Sequence, residues 1–173
     1  EGSFKHYTGS SFKRLHQDTF HYLRKEWEQQ DTCSLVPSYH SPDKKDYTSY
    51  RYPCPVDDST VVAVKSGLKD INSLVTIVHG KEKRLSYIGS INSRLDYRNG
   101  KIYWTEIVPG LRWTHENYSV LKCYDLKEGR IKSITPRQRY LSPSVDKNGK
   151  VAAVSRTTVD GKNQLVLVEL EDG

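Results

Sequence analysis

The stretch YLSPSVDKNGKVAAVS, Tyr140 to Ser155, decides the fold. It reads as an extended segment, a polar turn and a second, more apolar extended segment. Asn148 and Gly149 sit at the turn, and both residue types accept the positive φ of a tight type I′ hairpin. Val151–Thr157 then mixes small and β-branched residues, a strand pattern. The same order occurs twice more. Asp96-Tyr97-Arg98-Asn99-Gly100-Lys101-Ile102 carries a second Asn-Gly, and Val56-Asp57-Asp58-Ser59-Thr60-Val61 has an acidic turn without one. Aligned on Val61, Ile102 and Val151, the units repeat at 41 and 49 residues. Gly80, Gly129 and Gly173 each follow an apolar strand and repeat at 49 and 44 residues.

Working outward, Thr60–Lys65, Leu74–His79, Lys101–Val108, Val120–Leu126 and Gln164–Glu169 are further apolar strands. Lys83–Ile88 and Arg130–Thr135 are more polar. The middle unit then holds four strands, near 93–97, 101–108, 119–126 and 130–135. Charged outer strands guard an exposed sheet edge against unwanted pairing. Four strands every 40–50 residues is the spacing of a β-propeller blade. The expected fold is therefore mainly β: a partial β-propeller of about three four-stranded antiparallel blades, with an N-terminal amphipathic helix. The blades are expected near 47–90, 91–138 and 139–173. The third stops at Gly173, where its fourth strand should begin, and a closed ring takes about four to eight blades.

The first thirty residues differ. Phe12, Leu15, Phe20, Leu23 and Trp27 recur at helical intervals and predict a helix of about 18 residues, capped by Ser10 or Ser11. Its aromatic stripe needs something to lie on. Residues 31–46 read as an irregular connection, broken by Pro37 and Pro42, and Tyr47, Tyr50 and Tyr52 predict a short extended piece before Pro53. Of three cysteines, Cys123 lies in a strand pattern and is expected to be a small core residue, while Cys33 and Cys54 can pair in an oxidising compartment.

The chain has 173 residues and a net charge of +6. Its length suits one domain, and no run of about 18 apolar residues is present to span a membrane. No charged segment followed by an apolar one opens the sequence, so no signal peptide is expected. The positive charge falls in the strand region. Residues 1–60 hold eight Lys/Arg against nine Asp/Glu, whereas 61–173 hold nineteen against twelve.

Tyr140–Ser155 resembles the TolB-type, WD-like propeller repeat, with its Ser-Pro, Gly-Lys turn and apolar strand. Ile131–Pro136 resembles that repeat's closing strand. The middle unit is similar too, with a longer loop between its second and third strands. The first unit departs from the pattern, lacking both Ser-Pro and Asn-Gly. The whole chain also resembles Bacteroides-type envelope proteins in which a zinc-peptidase-like domain precedes such a propeller, and Tyr7–Trp27 looks like the last helix of that domain. No His-Glu-x-x-His is present, so no peptidase role carries over. The resemblance implies a periplasmic or cell-envelope location and a protein- or peptide-binding scaffold. The rival it implies is an accessory, substrate-docking part of a larger zinc-peptidase-like enzyme.

The densest polar and aromatic cluster is Trp104, Glu106, Arg112, Trp113, His115, Glu116 and Tyr118. It spans a strand, a long loop and the next strand, where binding residues commonly sit. Glu106 can pair Arg112 while Trp113 offers a stacking surface for a partner. The favoured alternative is that Trp113 packs on the blade and the Arg112–Glu106 pair ties down the loop. Asn99, Gly100, Asn148 and Gly149 are expected to be structural turn residues. The histidines lack metal-site spacing: His16 and His21 are five apart, not four. Ser142-Pro143-Ser144 is not a nucleophile elbow. Asp57-Asp58 and Glu171-Asp172 sit at turns, where paired carboxylates are normally solvated. No metal, cofactor or catalytic residue is expected. Arg130, Lys132, Arg137, Arg139 and Tyr140 come nearest to a nucleic-acid track, but a charged outer strand explains them as well. Copies can also associate through open blade edges.

Overall fold

The computed structural model describes residues 2–30, 46–110 and 117–170. Most of the connection expected over 31–46, with Cys33 in it, lies outside the described residues. The chain divides into two units, Glu1–Ser38 and Tyr39–Gly173.

The first unit contains α1 (Gly2–Thr8) and α2 (Phe12–Gln30). α2 is the periodic helix read from sequence. Of the two candidate caps the structure uses Ser11, whose Oγ accepts the Arg14 N–H at 3.3 Å and whose carbonyl accepts the Leu15 N–H. The short α1 was not expected. It ends at Gly9, which has φ of 68° and donates its N–H to the Lys5 carbonyl. Among the described residues Phe12, Phe20 and Trp27 of the aromatic stripe of α2 are more than half exposed.

The second unit is built from three antiparallel sheets. The first runs β1 (Thr48–Pro55), β2 (Thr60–Gly67), β3 (Ser73–Val78), β4 (Lys81–Tyr87). The second runs β5 (Asp96–Arg98), β6 (Lys101–Pro109), β7 (Asn117–Asp125), β8 (Arg130–Ser133). The third has β9 (Tyr140–Val145), β10 (Val151–Thr157) and β11 (Asn163–Glu169), with β10 in the middle. Each sheet is thus an up-and-down meander in chain order, as blades are.

The sheets stack through alternate faces. Cys54, Val62, Val64 and Leu74 of the first meet Ile102, Trp104 and Tyr124 of the second. The opposite face of the second sheet, Tyr103, Leu121 and Cys123, meets Ala152, Val154, Val166 and Val168 of the third. Period-two alternation explains this, because neighbours along a strand point to opposite sides. Fully burying one such side chain contributes about 1.5–3 kcal/mol, so these two interfaces dominate the stability of the unit. Among the described residues Cys54 and Cys123 are free, buried thiols, and burial pushes both above the ordinary thiol range.

Two sequence expectations change. The first concerns register. Ile102 and Ala152, not Ile102 and Val151, are the residues that face the preceding sheet. The turns explain the slip. Asn99 and Gly100 both have positive φ (49° and 77°) between the paired Arg98 and Lys101, a two-residue turn. At the second Asn-Gly only Gly149 has positive φ, and Asp146 donates its N–H to the Val151 carbonyl around a longer loop. This is not the type I′ turn expected there. The Asp146 carboxylate holds the loop by accepting N–H groups from Lys150 and Val151 at 2.7 and 3.0 Å. Aligning the two Asn-Gly pairs therefore misplaces β10 by one residue, and one residue exchanges the faces of a strand.

The second change concerns the first repeat. β1 and β9 carry the same bulge. Tyr52 and Ser142 have φ of 55° and 50°, each is followed by proline, and the pairing shifts across both sites. A proline lacks the N–H that a regular ladder would use, and a bulge tolerates that loss. Tyr52-Pro53 thus occupies the place of Ser142-Pro143, and the first repeat keeps the repeat geometry without its sequence signature.

Candidate binding site

Trp104 is fully buried in the interface between the first and second sheets. Its indole Nε1–H donates to Glu106 Oε2 at 3.2 Å, and Lys122 Nζ donates to Glu106 Oε1 at 2.6 Å. Trp104 and Lys122 are register partners on adjacent strands, and Glu106 lies two residues along the same face. A buried indole needs an acceptor and a buried carboxylate needs a counter-charge, so the three side chains satisfy one another. Gly89 lies against this group: a Cβ there would come within 2.9 Å of Glu106 Oε1. Arg112, Trp113, His115 and Glu116 lie outside the described residues. Of the cluster read from sequence, Trp104 and Glu106 are among the described residues, and both are buried.

A different group converges at one end of the second unit. Tyr118, next to the start of β7, lines a cavity of about 450 Å³ together with Arg137, Arg139, Arg156, Thr158 and Val159. The segment carrying Arg137 and Arg139 is held on both sides. The Ser119 N–H donates to the Gln138 carbonyl, Ser119 Oγ–H donates to the Tyr140 carbonyl, and the Thr157 N–H donates to the Arg139 carbonyl at 3.0 Å. Arg156 projects from the end of β10. Its Nη1 donates to Gln138 Oε1 at 3.2 Å and its Nη2 to Gln164 Oε1 at 2.7 Å, while its buried Nε finds no acceptor among the described residues. Sequence reading picked out Arg137 and Arg139 but missed Arg156, because only the β9–β10 pairing brings them together.

The comparisons agree with this architecture. No protein-family model matches the chain, and no curated protein matches it. Solved structures do. The crystal structure of TolB from Acinetobacter baumannii superposes with a TM-score of 0.55 at 13% identity. The chain has a TolB-like β-propeller fold. The match covers 70% of this chain and 30% of TolB, so the chain spans under a third of that protein's length. At this identity the TolB likeness describes the fold and leaves the chemistry to the residues.

Proposed function

We propose that the chain is a non-catalytic β-propeller segment that serves as a protein- or peptide-binding scaffold in a bacterial cell envelope. One observation carries the reading. The interior polar groups Trp104, Glu106 and Lys122 are spent on one another, while Arg137, Arg139 and Arg156 gather around a cavity at the loop end of the stacked sheets. Rigid strands with variable loops are a common way to hold a recognition surface. Arg112, Trp113 and His115 of the β6–β7 connection are the proposed contact residues, with Asn99, Gly100, Asn148 and Gly149 shaping the turns at the other end. The TolB-like fold supports the scaffold role, and the envelope location comes from the sequence resemblance. No helix among the described residues is long and apolar enough to cross a membrane. A photo-crosslinking residue at position 113 of the full-length protein should yield a discrete adduct in cells. Absence of any adduct from this loop or its neighbours would remove the reading.

A second reading is favoured by α2. Its exposed Phe12, Phe20 and Trp27 fit a helix that ends a preceding domain, here of zinc-peptidase-like type, with the propeller docking substrate for it. The parent gene decides: no His-Glu-x-x-His upstream means no such enzyme. Leu165 and Leu167, exposed on the open face of the third sheet, are the proposed route for copies to associate.

A further inference from the structure

We infer that the cleft formed by Arg137, Arg139 and Arg156 is an anion site that takes the carboxylates of an acidic peptide. This rests on the binding-scaffold reading and supplies the chemistry of its partner. Three arginines line one cavity, and among the described residues none of them has a carboxylate partner within ion-pair distance. Several other cations of the unit are paired, Arg130 and Lys132 with Glu128, Lys122 with Glu106 and Lys65 with Glu82, whereas the cleft brings three arginines together around one cavity. The acid nearest in sequence, Asp160, pairs with Lys162 at 3.0 Å and accepts the hydroxyl of Thr158, and it makes no ion pair with the three arginines. Like charges held in a concave site focus a positive potential that draws in an anion.

The donors are also held in place. Arg156 is oriented by two glutamine oxygens, and its Nε is a buried donor without an acceptor among the described residues. Arg137 and Arg139 come from a segment bonded to β7 on one side and β10 on the other. Planar guanidinium forks on a fixed backbone match carboxylates in paired hydrogen bonds, and arginine clusters recognise acidic motifs this way. The remaining lining, Tyr118, Thr158 and Val159, suits the backbone and aliphatic stem of a peptide. Nucleic acid needs a longer basic track with several stacking rings, and among the described residues this lining offers only Tyr118.

The test uses the purified chain and a fluorescent hexaglutamate peptide, with hexaglutamine, inorganic phosphate and oligothymidylate as comparison probes. Hexaglutamate should bind saturably, weaken as salt rises and ignore hexaglutamine as a competitor. Arg139→Gln and Arg156→Gln should each weaken binding about tenfold, the loss of one charge-assisted pair, with little change in melting. Lys127→Gln, an equal charge loss outside the cleft, should leave the affinity unchanged. Equal binding of hexaglutamine, or arginine variants that bind as the parent does, would overturn the assignment. Tighter binding of oligothymidylate or of phosphate alone would overturn it in favour of those ligands. Should the arginine variants prove silent while position 113 still crosslinks, the cleft fails and the scaffold reading stands.

Discussion

The side-chain amide of Asn99 donates a hydrogen bond to the backbone carbonyl of Asn148 at 2.8 Å, 49 positions further along the chain. A second bond spans the same separation: the Val145 N–H donates to Asp96 Oδ2 at 2.6 Å. Together they tie the first hairpin of the second sheet to the first hairpin of the third. The repeat is thus fastened at its turn end by polar contacts and along its faces by apolar ones.

Gly149 lies beneath that contact. Its φ is +72°, and a Cβ there would meet Asn99 Nδ2 at 2.8 Å. Gly149→Val should cost about 2 kcal/mol, because a β-branched residue resists this backbone and displaces the Asn99 amide. Urea unfolding measures it, and an unchanged midpoint would refute this account of the turn.

Glu106 is the interior counter-charge. Glu106→Ala leaves the Trp104 indole without its acceptor and Lys122 without its partner, at a cost of roughly 3 kcal/mol. Glu106→Gln keeps an acceptor for the indole and should fall in between. Gly89→Ala should also destabilise by pressing on the carboxylate. Equal stability of Glu106→Ala and the parent in thermal melts would mean the triad contributes nothing.

Acid should loosen the turns. Asp57, Asp125 and Asp146 all lie below the ordinary aspartate value of 3.8, chiefly because backbone N–H groups donate to their carboxylates. A depressed folded-state value stabilises fully above the unfolded value and fades as pH falls toward the folded one. The urea midpoint should therefore hold from about pH 7 to 5 and fall below about pH 4. Asp146→Asn should make that decline shallower. A midpoint as high at pH 3 as at pH 6 would contradict the argument.

Trp113 tests the loop. Trp113→Ala should weaken capture of the crosslinked partner with little effect on melting. A large loss of stability would instead make Trp113 a packing residue of the blade.

The sequence by itself determined the local units. Strands declare themselves through alternating apolar residues, and hairpins through glycine and asparagine, because both signals depend on neighbours a few positions away. Four strands per repeat followed, and with them a propeller rather than a sandwich. Tertiary structure decided which residues of those units meet. The loop around Asp146 sets whether Val151 or Ala152 faces the second sheet, since one residue inverts a strand with period two. Tyr52-Pro53 replaces Ser-Pro because a bulge needs a backbone geometry more than a particular side chain. Trp104 and Glu106 read as surface binding residues along the chain, yet the first sheet covers them. Arg156 joins Arg137 and Arg139 only when β10 pairs with β9, a contact between distant positions that no local pattern encodes.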